Sequence, residues 1–254
     1  MAAASGDDSL WFRRFAPASG GSVRLICFPH AGGSAAFFFS TARALARAGI
    51  EVAGVQYPGR QDRRSEPGIT DIGVLADRIT EVLLAQSDHR PVALFGHSMG
   101  AVTAFEVARR LERDNAIEVL DLFVSGRRAP SIHRDENVHE KSDEGIVAEL
   151  KQMSGTDASL LGDEEMLRMI LPAIRADYTA VERYRGAPGA MVKSPIQALT
   201  GDADPKAMVD EVRVWSDHTS AGFDIRVFPG GHFYLTHHQD ALHDLIGRRL
   251  RSGR

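Results

Sequence analysis

Pro91-Val92-Ala93-Leu94-Phe95 runs directly into Gly96-His97-Ser98-Met99-Gly100, and Ala101 to Arg113 follows with the spacing of a helix. An apolar strand that turns into a helix around a serine flanked by two glycines is the setting of a nucleophile elbow. The turn is tight enough to hold its serine in a strained backbone conformation. Side chains two positions to either side would then strike neighbouring backbone, and glycine removes those collisions because it has no Cβ. Ser98 is therefore expected at the carboxyl end of a strand, beside the amino end of a helix. Unsatisfied N–H groups and the helix dipole there favour a developing negative charge.

Working outward, Val23 to Phe28 is an apolar run broken only by Arg24, as for a strand buried on both faces. It ends in Pro29-His30-Ala31-Gly32-Gly33-Ser34, and Ala35 to Ala48 reads as a helix with Ser34 as its N-cap. This glycine-bearing loop lies where a second oxyanion donor is needed, so the backbone N–H groups of Ala31 and Met99 are the expected pair. His30 is read as a loop-shaping residue with a local hydrogen bond. Leu10 to Phe15 reads as a short strand before a turn at Ala16 to Ser22, and Glu51 to Gln56 as a further strand. Tyr57-Pro58-Gly59-Arg60 and a polar loop follow, in which Arg60, Arg63 and Arg64 either pair with Asp62 and Glu66 or form an anion-contacting rim. Asp71 to Gln86 is helical, and Ile117 to Ser125 is a strand ending at Gly126-Arg127-Arg128-Ala129-Pro130. Alternating strands and helices imply a mostly parallel sheet with helices on both faces, and sites in such sheets lie at the carboxyl ends of the strands.

The alternation stops between about residues 138 and 185, where the pattern is helical throughout and Pro172 should start or kink a helix. This segment is read as a lid inserted into a single domain spanning 1–254. Ile146, Val147, Leu150, Met153, Met166, Met169, Ile170, Ile174 and Tyr178 carry this pattern, and the methionines and aliphatics among them either line an acyl chamber or simply pack on the body. The sheet resumes at Ser194 to Leu199 and Phe223 to Phe228, with helices at Lys206 to Thr219 and Asp240 to Arg251.

The 254 residues carry 34 acidic and 30 basic side chains, a net charge of −4, which gives no reason to expect nucleic acid or a lipid surface as partner. No apolar run approaches the roughly 20 residues of a membrane span. Met1 to Asp8 lacks the pattern of a signal peptide, and the single cysteine, Cys27, lies in an apolar run, so a reducing cytoplasm is expected. Nothing in the composition calls for more than a monomer.

A serine hydroxyl needs an imidazole to take its proton, and the imidazole needs a carboxylate to fix its tautomer. The α/β-hydrolase order is serine, acid, histidine. Asp204 and His232 satisfy it, each just after a strand and at the same end of the sheet as Ser98. Asp204 is preferred because the loop must travel beyond the strand end to reach the histidine, with Asp202 as the fallback. No histidine has metal-ligand spacing with a partner. Ser98 is then the nucleophile, His232 the base and Asp204 its orienting acid, and the residues leave the leaving group open among alcohol, amine and thiol.

The motifs together resemble the type II thioesterases that accompany polyketide synthases and nonribosomal peptide synthetases. The likeness runs through Phe28 to Gly33, Gln56 to Arg60, Gly96 to Gly100, Ser125 to Pro130, Leu171 to Tyr178, Gly201 to Asp204 and Gly230 to Phe233. It implies an α/β-hydrolase fold and an editing enzyme that clears stalled or wrong acyl groups from the phosphopantetheine arm of a carrier protein. Acyl-CoA would serve as a surrogate substrate, and no metal or redox cofactor would be needed. Arg60 and Arg128 would meet the carrier's phosphate and acidic surface. The competing readings are an acyltransferase of the malonyl-loading type, a general esterase or lipase, and a non-catalytic carrier-binding module. Ala101 after the elbow, in place of an acidic residue, speaks against the first.

Overall fold

The structure is a computed structural model that describes residues 4–17, 23–86, 90–113, 115–153 and 164–252. Most of the turn at Ala16 to Ser22, His89, the middle of the 138–185 segment and the end of the basic tail lie outside the described residues. Among the described residues seven strands form one sheet in the order β1-β3-β2-β4-β5-β6-β7. They are β1 (Phe12–Arg14), β2 (Val23–Phe28), β3 (Ile50–Val55), β4 (Val92–His97), β5 (Val119–Ser125), β6 (Ile196–Gly201) and β7 (Phe223–Phe228). Only β1 runs antiparallel, against β3, and every other pairing is parallel. All positions of β2, β4 and β6 are buried, because helices cover both faces, and this explains their unbroken apolar character.

The helices are α1 (Ala4–Trp11), α2 (Phe39–Ala46), α3 (Ile72–Ala85), α4 (Met99–Arg113), α5 (Asp143–Met153), α6 (Glu164–Arg183), α7 (Val209–Arg213), α8 (Tyr234–His237) and α9 (Gln239–Ser252). Two separate apolar clusters pack on the sheet. One holds Phe105 and Val107 of α4 with Ile79 of α3, and the other holds Ala42 and Leu45 of α2 with Ile246 of α9. A third, smaller cluster of Val138, Ile146, Leu150, Leu171 and Ile174 belongs to α5, α6 and the turn before them.

Several boundaries differ from the sequence reading, each for a tertiary reason. Only Phe12–Arg14 of the Leu10 to Phe15 segment is a strand, because Trp11 closes α1 and lies buried under the Arg63 guanidinium, 4.3 Å above its ring. Ser34 makes no capping bond, and Ala35–Phe38 is a 3₁₀ turn that precedes α2. Gln56, just past β3, does the work expected of Ser34: its Oε1 accepts the Ala35 N–H at 3.0 Å. The helix read at Lys206 to Thr219 is α7 followed by a separate 3₁₀ turn, Val214–His218. There the buried Trp215 donates its indole N–H to the Arg127 carbonyl at 2.8 Å. Pro172, read as starting or kinking a helix, starts none and sits inside α6. Among the described residues no helix is long and apolar enough to cross a membrane.

Candidate active site

The connection from β4 to α4 places Ser98 in the left-handed backbone region, with φ of 55°. Its N–H donates to the Ser125 carbonyl of the neighbouring strand end at 2.8 Å, which pins the turn to β5. The flanking glycines are a steric requirement. A Cβ at Gly96 would stand 2.1 Å from the Gly100 carbonyl oxygen, and one at Gly100 would stand 2.0 Å from the Phe28 carbonyl oxygen. Neither obstacle is a side chain that can swing away.

Met99 opens α4, so its N–H belongs to the first helical turn, whose donors have no acceptor within the helix. Ala31 lines the same cleft as Ser98 and His232. The next N–H along that loop, Gly32, is already committed to Asp177 Oδ2 at 2.8 Å. This carboxylate comes from α6, where Ile174 also lies close enough that a Cβ on Gly32 would meet its Cγ1 at 2.8 Å. The loop is thus held against α6 by packing and by a hydrogen bond.

His232 and Asp204 meet below the cleft. The imidazole Nδ1 lies 3.0 and 2.9 Å from the two Asp204 oxygens, and both side chains are buried. With Nδ1–H donating to the carboxylate, Nε2 is left as the acceptor that a serine proton requires. Asp204 Oδ1 also accepts the Lys206 N–H at 2.8 Å, which orients the carboxylate from behind. Asp202 is elsewhere: it is exposed and accepts the Gly230 N–H at 2.8 Å, shaping the loop that carries His232.

Two further histidines crowd this point. His97 Nδ1 is 2.9 Å from Ser125 Oγ, which is 2.7 Å from the Tyr234 hydroxyl, and its ring lies 5.0 Å from that of His232. His30 does not make the local hydrogen bond expected of it. Among the described residues its Nδ1 is buried without a partner, and its ring stands edge-on to Phe37 and Phe233. It shapes the loop by packing. Burial pushes the His30 pKa down to about 3, and burial likewise holds His97 well below the usual value of 6.5. Below pH 6.5 the unfolded chain therefore takes up protons that these folded side chains refuse. Stability should be complete above pH 6.5 and fall as the pH drops, by about 1.4 kcal/mol per pH unit for each such histidine. Urea denaturation between pH 7 and 5 reads this directly. His30→Gln should flatten the slope, and a midpoint independent of pH over that range would contradict neutral burial.

Of the arginines expected at a rim, Arg60, Arg63 and Arg128 are interior, whereas Arg64 is exposed. Arg60 is 8% exposed and holds Asp177 with both terminal nitrogens, at 2.7 and 2.8 Å. Arg128 is 2% exposed and donates to Glu136 at 2.9 Å. Arg63 pairs with Glu66 as expected, whereas Asp62 pairs with Arg13 of β1. Arg60 and Arg128 are structural, and the anion-contacting role does not hold for them. Of the aliphatic and aromatic residues read on the helical segment, Leu150, Met153 and Tyr178 line the cleft together with Val181, while Met169 faces solvent at 53% exposure. The Met166 side chain is outside the described residues. Among the described residues no three His, Cys, Asp or Glu side chains are grouped to hold a metal ion.

With this geometry in place, the comparisons with known proteins are specific. Residues 23–250 match the thioesterase domain family. The chain is 52% identical over 244 residues to a probable cadicidin biosynthesis thioesterase of Streptomyces griseus, covering 96% of this chain and 67% of that protein. It is 46% identical to the thioesterase PikA5 of Streptomyces venezuelae, covering 94% and 84%. The structure of BorB, a type II thioesterase from the borrelidin biosynthetic cluster, superposes with a TM-score of 0.88 at 51% identity, covering 95% and 98% of the two chains.

Proposed function

The chain belongs to the thioesterase domain family, and from that premise we propose that it hydrolyses acyl groups from the phosphopantetheine arm of carrier proteins in polyketide or nonribosomal peptide biosynthesis. The observation that carries this reading is the convergence of Ser98, His232 and Ala31 on one cleft, with Asp204 on the imidazole Nδ1.

Ser98 Oγ attacks the thioester carbonyl while His232 Nε2 takes its proton. The oxygen that becomes negative receives the Ala31 and Met99 N–H groups, each donor being worth about 3–4 kcal/mol. The tetrahedral intermediate collapses with loss of the pantetheine thiol, protonated by His232. Water then gives its proton to His232 and attacks the acyl-enzyme, and collapse returns the carboxylic acid and Ser98. The described parts of the segment from about 138 to 185 act as a lid: α5 and α6 share their own small apolar cluster and supply Leu150, Met153, Tyr178 and Val181 to the cleft. The enzyme works in the cytoplasm as a monomer, in keeping with its one buried thiol, Cys27.

The test is to incubate the protein with a carrier protein bearing a short acyl group and to follow both products by mass spectrometry. Free acid and deacylated carrier are expected. Transfer of the acyl group to an added thiol without free acid would make the protein an acyltransferase. Cleavage of aryl esters alone would make it a general esterase.

A further inference from the structure

Ser98 follows β4, Asp204 follows β6 and His232 follows β7. β5 lies between β4 and β6 in the sheet and supplies none of these three residues. Its end still reaches all of them. The carbonyl of Ser125, the last residue of β5, accepts the Ser98 N–H at 2.8 Å. The next N–H, that of Gly126, donates to the Leu199 carbonyl of β6 at 2.9 Å. A Cβ on Gly126 would stand 2.6 Å from His97 Cε1 and 3.5 Å from Asp204 Oδ2. The His97 imidazole and the Asp204 carboxylate therefore close on the same point of the chain.

The Ser125 side chain makes a further connection. Its Oγ lies 2.9 Å from His97 Nδ1 and 2.7 Å from the Tyr234 hydroxyl, and all three side chains are buried. His97 directly precedes Ser98, and Tyr234 follows His232 with only Phe233 between them. The Tyr234 ring is itself stacked on Phe228, at the end of β7, with centroids 5.1 Å apart. A serine hydroxyl can donate to one partner and accept from another, so one side chain joins the elbow to the loop of the base. Asp204 holds His232 at Nδ1 alone, which leaves the ring free to rock about that contact. The His97 ring, 5.0 Å away and tilted by 40°, stands against such rocking. Burial keeps His97 neutral, so it packs there without opposing the positive charge that His232 gains as Ser98 loses its proton.

We propose that Ser125 is a positioning residue that sets the separation of Ser98 from His232. Its carbonyl fixes the elbow, and its hydroxyl, bridging His97 and Tyr234, fixes the loop of the base against that elbow. A misplacement of about 1 Å between reacting groups costs on the order of 100-fold in rate, so a buried bridge of this kind acts on turnover more than on binding. The inference rests on the thioesterase reading and its Ser98–His232 pair for its chemistry, but covalent labelling of Ser98 tests it apart from thioester hydrolysis.

Ser125→Ala keeps the carbonyl and removes the bridge, whereas Tyr234→Phe removes one end of it. With propionyl-N-acetylcysteamine, kcat should fall on the order of 30-fold for Ser125→Ala and about tenfold for Tyr234→Phe, with KM within about threefold of the wild type. The double variant should lose no more than Ser125→Ala alone, because both changes break one bridge, whereas separate packing faults would multiply. Labelling of Ser98 by a fluorophosphonate should slow in the same order, since it draws on the same proton transfer to His232. Losses that multiply in the double variant, a change confined to KM, or labelling at the wild-type rate would overturn the proposal. Tyr234→Phe leaves Ser125 paired with His97, so it decides alone if Ser125→Ala does not fold, and an unchanged kcat would then overturn the role of the bridge. If the wild type is labelled at Ser98 but hydrolyses no thioester, the thioesterase reading fails, and the labelling rates of the variants still decide the role of Ser125. A wild type that is not labelled at all would overturn both.

Discussion

Asp204→Asn is expected to lower kcat for thioester hydrolysis by about 10⁴-fold with the fold intact, and Asp202→Asn by less than tenfold. The difference lies in what each carboxylate holds. Asp204 presents both oxygens to His232 Nδ1, at 3.0 and 2.9 Å, and Oδ1 also receives the Lys206 N–H. Asparagine has one oxygen, and the Lys206 N–H claims it. The amide NH₂ then faces Nδ1, which must become the acceptor, and the proton moves to Nε2, where it blocks transfer from Ser98. Asp202 holds only the Gly230 N–H, so its loss loosens a loop without changing a tautomer. Ser98→Ala should cost on the order of 10⁶-fold, and adding Asp204→Asn to it should cost little more, because groups acting on one proton transfer are not additive. Steady-state kinetics beside thermal melts would check this. Equal losses for the two aspartates would reassign the acid.

The parts of the site legible in the sequence are those fixed by local sterics or by strand ends. Gly96 and Gly100 report the elbow because the collisions they avoid lie within a few residues or on the adjacent strand. Asp204 and His232 stand out because each directly follows a strand of a parallel sheet. What was not legible depends on partners far away in sequence. Gln56 caps the turn after β2 in place of Ser34, and Trp215 breaks a helix to reach Arg127. Arg60 looked like a surface charge in a polar loop, because its counter-ion lies 117 residues away in α6. One signal was present. Asp177 falls in line with Ile170 and Ile174 on the apolar stripe of that helix, and an acid in such a stripe needs a buried partner.

That partner gives the second large effect: Arg60→Ala should destabilise the protein by about 3–5 kcal/mol. Desolvating a carboxylate is costly, and Asp177 is compensated by two guanidinium hydrogen bonds and the Gly32 N–H. Without Arg60 only the last remains. Arg60 also donates to the Gly33 carbonyl at 3.0 Å and lies 5.2 Å above the Tyr57 ring, so the substitution removes a tie between the loop after β3 and the loop after β2. Urea denaturation would show a lower midpoint at unchanged slope. Asp177→Leu combined with Arg60→Met should recover part of the loss, since two apolar side chains leave no buried charge behind. Activity should not recover with it. Gly32 would still lack its acceptor, and the neighbouring Ala31 N–H would no longer be held toward the cleft, so kcat should stay depressed while KM changes less. A double variant that regained both stability and kcat would mean that α6 does not position the oxyanion loop. A loss below about 1 kcal/mol for Arg60→Ala, the range of exposed ion pairs, would mean that the pair is solvated and α6 is free to lift from the loop.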